Sequence, residues 1–171
     1  MSPLYKSAYY VDAFAIPLPA QRSKDYRPDV LAHALFGKPP AWFFMLMWIR
    51  DRAMSLYGVK TSHDMQTGAQ GKGVDTIGIF PVIARTETET VLGEKDKHLD
   101  FQTSILVRDR KASDGWQNGG DDHPGKEVVA TTMVHCHGLL GKAYMTVIKP
   151  FHILIVRYSL SRVPGKVAQK E

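Results

Sequence analysis

The chain has 171 residues, 44% of them hydrophobic, 23% charged and 10% aromatic, which is the make-up of a folded globule able to bury a core and excludes a disordered, collagen-like or coiled-coil chain. One cysteine, Cys136, excludes an internal disulfide framework and a Cys-rich zinc module. A formal charge of +5 raises nucleic acid as a partner, but the cations are scattered and no basic stripe interleaved with aromatics occurs, so nucleic-acid binding is not expected.

Residues 1–15 hold no apolar run followed by a small-residue cleavage site, so no signal peptide is expected. From Ser7 to Ile16 aromatic and small residues alternate with polar ones until Pro17 and Pro19, which predicts a first strand. A short helix is predicted over Asp29–Phe36, with Asp29 as N-cap and Gly37 as stop. Pro39 and Pro40 then pre-set a second helix, with Trp42, Met45, Leu46, Ile49, Ala53 and Leu56 as the core stripe before Gly58. Phe43, Phe44, Met47 and Trp48 lie opposite that stripe and require a second cover. Lys60–Asp75 reads as a mobile connection.

Beyond it the period becomes two. Strands are predicted over Thr76–Arg85, Thr86–Leu92, His98–Asp109 and Glu127–His137, joined by Gly93–Lys97 and by a Gly- and Asp-rich loop over Arg110–Lys126. A final helix puts Tyr144, Val147, Ile148, Phe151, Leu154, Ile155 and Tyr158 on one face, with Pro150 expected to kink or restart it, and the tail is expected to fray from about residue 164. Neither Ala41–Ile49, which is too short, nor Leu139–Leu160, interrupted by Lys142, Lys149, His152 and Arg157, reads as a membrane span. The expected setting is cytoplasmic.

Strand, two helices, antiparallel strands and a long helix make an α+β domain in which one curved sheet covers its apolar face with the C-terminal helix. That order resembles the helix-grip fold of the birch-pollen-allergen and START-like (SRPBCC) superfamily. The tracts Tyr10-Val11-Asp12-Ala13-Phe14, Trp48-Ile49-Arg50-Asp51, Leu92-Gly93 with His98-Leu99-Asp100-Phe101, and Gly141 to Tyr144 with Pro150-Phe151-His152 look like a bacterial family of unknown function, family 2867. The resemblance implies a cavity between sheet and helix, and cyclase or aldol-type chemistry where superfamily members are enzymes.

Alternation places His98 and Asp100 on one strand face and Met133, His135 and His137 on one face of the next. A hairpin with His98 opposite His137 sets Asp100 opposite His135 and gathers all four. Such a group reads as a solvated, hydrogen-bonded face, as an acid/base cluster, or as a metal site, the last lacking any H-E-x-x-H helix. No cofactor motif occurs: there is no G-x-S-x-G elbow, phosphate-binding loop or G-x-G-x-x-G turn. His152 reads as a polar tip at the cavity or a satisfied core histidine, Arg50 and Asp51 as a helix-surface pair, and Cys136 as a buried hydrophobe.

Three functions compete. The first is binding of a hydrophobic or amphipathic small molecule by an apolar wall of Trp42, Phe44, Trp48, Phe101, Met133, Tyr144, Phe151 and Tyr158, with His98, Asp100, His135 and His152 for orientation. The second is acid/base chemistry in the same cavity, with His98, Asp100, His135 and His137 as candidate catalytic residues. The third is an interaction module docking a partner or a second copy, a homodimer, through the aromatic helix.

Overall fold

In a computed structural model of the protein, residues 8–19, 26–55, 73–110 and 125–168 are described. The elements run β1 (Tyr10–Pro17), α1 (Pro28–Phe36), α2 (Ala41–Ser55), β2 (Thr76–Ile77), β3 (Phe80–Arg85), β4 (Glu89–Lys95), β5 (Leu99–Asp109), β6 (Lys126–Cys136), α3 (Gly138–Ser161) and α4 (Val163–Ala168). The six strands form one antiparallel sheet in the order β1-β6-β5-β4-β3-β2. This is the α+β helix-grip layout: a curved sheet closed over by a long C-terminal helix.

Period-two patterning decides which face turns inward. Phe14 and Ile16 of β1, Leu92 of β4, Ile105 and Val107 of β5 and Val128 and Ala130 of β6 join one core with Leu31 and Leu35 of α1, Val156 and Leu160 of α3, and Val163 and Val167 of α4. The end expected to fray therefore carries a helix with two buried valines.

Three boundaries differ from the sequence reading, each for a local reason. Asp29 does not cap α1; Pro28 opens the helix, the N-cap is Arg27, whose side chain makes no capping bond, and Asp29 pairs with Arg85 at 2.8 Å. The expected strand Thr76–Arg85 breaks at Gly78, whose φ is +63° and whose absent Cβ leaves room for the Phe36 carbonyl. Gly93, read as a turn residue, lies inside β4, where a Cβ would strike the Phe101 carbonyl. The β3–β4 turn accordingly falls at Thr86–Thr88, and the β4–β5 turn shortens to Asp96–His98.

Helix α2 is rotated from its predicted face. Phe43 is buried and Trp42, Leu46 and Met47 are half-buried, whereas Met45 and Ile49 of the predicted stripe are exposed. In a segment apolar on every side, spacing does not choose a face; tethers do. Trp42 packs edge-on to Tyr158 with ring centroids 5.2 Å apart, and Arg50 Nε donates to Tyr144 Oη at 3.1 Å, so α2 runs antiparallel along α3. Helix α3 continues through Pro150 without a break, and its Val147, Phe151 and Leu154 point outward, not into the core. The expected mobile segments over 60–75 and 110–126, with His63, His123 and the Gly71-Lys72 pair, lie almost wholly outside the described residues.

Candidate functional site

The inner sheet face, α2 and α3 enclose a cavity of ≈ 190 Å³. Its walls are mainly apolar, built from Phe43 and Met47 of α2, Phe80 and Leu92 of the sheet, and Met145 and Ile155 of α3. Into it also face Arg50, Glu94, Asp96, His98, Tyr144 and His152. A second recess of ≈ 260 Å³ between Pro39, Pro40, Trp42 and Phe44 shares Phe36, Phe43 and Phe80 with the first and has no ionisable lining residue. The first is the smaller of the two, but it alone combines an apolar body with convergent polar groups, so it is the candidate site.

The most organised polar feature beside it reaches the cavity wall only through His152 and spans the chain. Alternation along β1 puts Asp12 on the inner face between Tyr10 and Phe14, and α3 brings His152 against it. His152 Nε2 lies 3.1 Å from one Asp12 carboxylate oxygen and 3.4 Å from the other. Tyr10 Oη donates to the same carboxylate at 2.6 Å, and its ring stands edge-on to His152. Burial alone would raise the Asp12 pKa, but the bonds from His152 and Tyr10 carry it below the usual carboxylate value. Burial and the neighbouring Asp12 push the Tyr10 phenol well above its ordinary range, so Tyr10 stays protonated. An imidazole bonded to a carboxylate through Nε2–H keeps Nδ1 as its remaining base, the arrangement that orients a proton-transfer histidine.

A second polar corner is set by α2. Arg50 pairs with Asp51 at 2.7 Å as well as with Tyr144. Burial would lower the guanidinium pKa, but Tyr144 and Asp51 outweigh it and the group stays charged.

Of the four residues picked as a cluster, three meet. Asp100 pairs with His135 in the β5–β6 register, one of the registers the sequence left open, and His137 Nε2 lies 3.2 Å from Asp100 Oδ1. They sit on the outer sheet face, away from the cavity. His98 does not join them, because the turn ends one residue later than predicted and β5 begins at Leu99. Its carbonyl accepts from His137 N at 2.7 Å and abuts Gly141, while its side chain faces the cavity with Nε2 buried and without a hydrogen-bond partner among the described residues. Among the described residues, no three His, Cys, Asp or Glu side chains converge in a way that could hold a metal ion.

Of the expected apolar wall, Phe101 and Tyr144 line the cavity, as does His152 of the orienting set, while Trp42 and Phe44 line the second recess. Trp48 and Phe151 are exposed, Tyr158 is covered by Trp42, and Met133 is buried on the outer side of β6, so these four do not contribute. Cys136 is buried against Val134 and Met145, its thiol pKa raised by that burial. Sequence reasoning does not single out Arg50, which lines the cavity, as a site residue, nor Tyr10 and Asp12, which hold His152 from behind the lining. The available signal was Asp12 itself, a charge in the apolar phase of β1.

The sequence model of a family described as protein of unknown function (DUF2867) matches residues 4–159. No curated protein and no solved structure matches the chain.

Proposed function

The chain belongs to the DUF2867 family of proteins of unknown function, and from this member's geometry we propose that it binds a small, mainly apolar molecule carrying one polar group in the cavity between the sheet and α3. The supporting observation is the cavity itself: ≈ 190 Å³, apolar around most of its wall, with Arg50, His98 and His152 presented at its surface. A dry apolar cavity of roughly 150 Å³ accommodates benzene, whereas drug-sized ligands occupy about 300 Å³ or more. The matching ligand is therefore a single substituted ring or a short chain, and the buried, unpartnered His98 Nε2 is the group that recognises its polar end.

Native mass spectrometry of the purified protein, before and after organic extraction, tests this. The expected result is an extractable adduct of small mass, or saturable uptake of small aromatic probes that Val134→Phe abolishes by filling the lining. A protein that neither carries an adduct nor takes up such probes overturns the reading.

The Asp12–His152 pair favours a second reading, in which the bound molecule undergoes proton transfer. Under binding alone, Asp12→Asn and His152→Gln change affinity only. Under catalysis they abolish exchange of an acidic ligand C–H with deuterated solvent while the ligand still binds.

A further inference from the structure

We propose that the cavity and the second recess are two chambers of one pocket, which holds an elongated ligand. Its ring, with the polar group toward His98 and Arg50, fills the first chamber, and an unbranched alkyl tail on that ring fills the second. This rests on the cavity reading above and extends it to the neighbouring recess. Phe36, Phe43, Ile79, Phe80 and Ile155 line both spaces, so a single layer of side chains separates them. Phe36 and Phe80 are fixed in that layer, edge-on to each other with centroids 5.5 Å apart, and Phe80 stands edge-on in turn to Phe101 at 5.8 Å. Phe43 instead meets the exposed Phe44 of its own helix at 6.0 Å. Turning the Phe43 ring therefore leaves the aromatic row in place and opens the passage.

The shape and chemistry of the recess name its occupant. Pro39 and Pro40 withhold backbone donors and disfavour the helical region for the residues before them, and the chain bends by 75° between α1 and α2. Gly37 and Gly78 line the wedge that this bend leaves and place no side chain in it; at Gly78 a Cβ would strike the Phe36 carbonyl. The remaining ≈ 260 Å³ is walled by Leu35, Trp42, Phe44 and the shared side chains, with no ionisable group among the described lining residues. A charged end would lose its water there without a partner, whereas each methylene gains by leaving water. With benzene in roughly 150 Å³ as the scale, the recess has room for on the order of ten carbons. A passage beside one phenylalanine ring admits a methylene chain and stops a branched group.

The test is isothermal titration of the intact chain with phenol and its para-ethyl, para-butyl and para-hexyl derivatives, and with para-tert-butylphenol as the branched control. A fully buried methylene strengthens binding by about fourfold, so affinity is expected to climb by up to that factor per methylene through the hexyl compound. The tert-butyl isomer is expected to bind no more tightly than phenol in the native chain and to gain affinity in Phe43→Ala, which widens the passage. Ser159 lines the recess but not the first cavity, and Ser159→Leu is expected to bring para-hexylphenol down to the affinity of phenol. If that variant unfolds, the contrast between the two butyl isomers in the native chain still decides. A flat series above a phenol that binds, equal affinities for the two butyl isomers, or a rising series that Ser159→Leu leaves untouched each overturns the two-chamber proposal and leaves the cavity reading standing. Failure of phenol and of every derivative to bind overturns both.

Discussion

Asp12 occupies a strand position where its neighbours Tyr10, Phe14 and Ile16 face the interior, and it tolerates that position because two side chains bond its carboxylate. Its folded pKa lies below the unfolded value of about 3.9. The sign follows: the contribution to stability is complete above that value and is lost as pH falls toward the folded pKa. Urea midpoints measured from pH 7 to pH 2.5 are expected to drop steeply in the acid limb for the native chain and less steeply for Asp12→Asn; parallel curves would refute the assignment. His98 presents the opposite case, a desolvated nitrogen with no hydrogen-bond partner among the described residues. His98→Leu removes that unpaired group, so stability is expected to hold or rise by about 1 kcal/mol while ligand retention falls. A loss of about 2 kcal/mol or more in urea titration would show instead that the nitrogen is bonded in solution. Neither residue's role was legible from spacing. His98 turned on where a hairpin ends, and the Asp12–His152 contact joins positions 140 residues apart, which no local pattern reports.

Among the elements, those with a strict period were readable and those without were not. For β5 and β6 alternation told which residues share a face, because a one-residue slip would turn Ile105, Val107, Val128 and Ala130 out of the core, but the long connecting loop left the register itself open. For α2 the apolar residues surround the helix, and the Trp42 and Arg50 contacts with α3 set its face instead. On α3 the widest apolar stripe reads as the core, whereas Gly141, Met145, Val156 and Leu160 are among the buried positions. Gly141 is informative because the first turn of α3 rests there against the His98 carbonyl. Helix propensity alone would make Gly141→Ala stabilising by about 1 kcal/mol; the crowding is expected to reverse that sign and lower the melting temperature, and a rise would show that the turn relaxes freely. Leu160, 1% exposed, joins α3 to the sheet, and Leu160→Ala is expected to cost about 2–5 kcal/mol in denaturant unfolding. A cost below 1 kcal/mol would mean that the helix is not held there.

On the scale of the whole molecule, the cavity exists only once helix and sheet meet, since its lining is drawn from α1, α2, four strands and α3. The sheet that supports it pairs β1 with β6, placing Pro17 opposite Glu127 and Tyr10 opposite Val134. On a ribosome adding about 5–20 residues per second, β1 emerges many seconds before the strand that will complete it. Throughout that interval its backbone donors and acceptors form an open edge, the feature that invites pairing with other chains. A fragment ending at Gly125 is expected to show no cooperative unfolding, and one that melts sharply would contradict this. The alternation that sets Asp12 beside His152 thus makes synthesis itself the period of greatest exposure to misassembly, and a chaperone that shields an extended N-terminal segment would act on this chain before its site has formed.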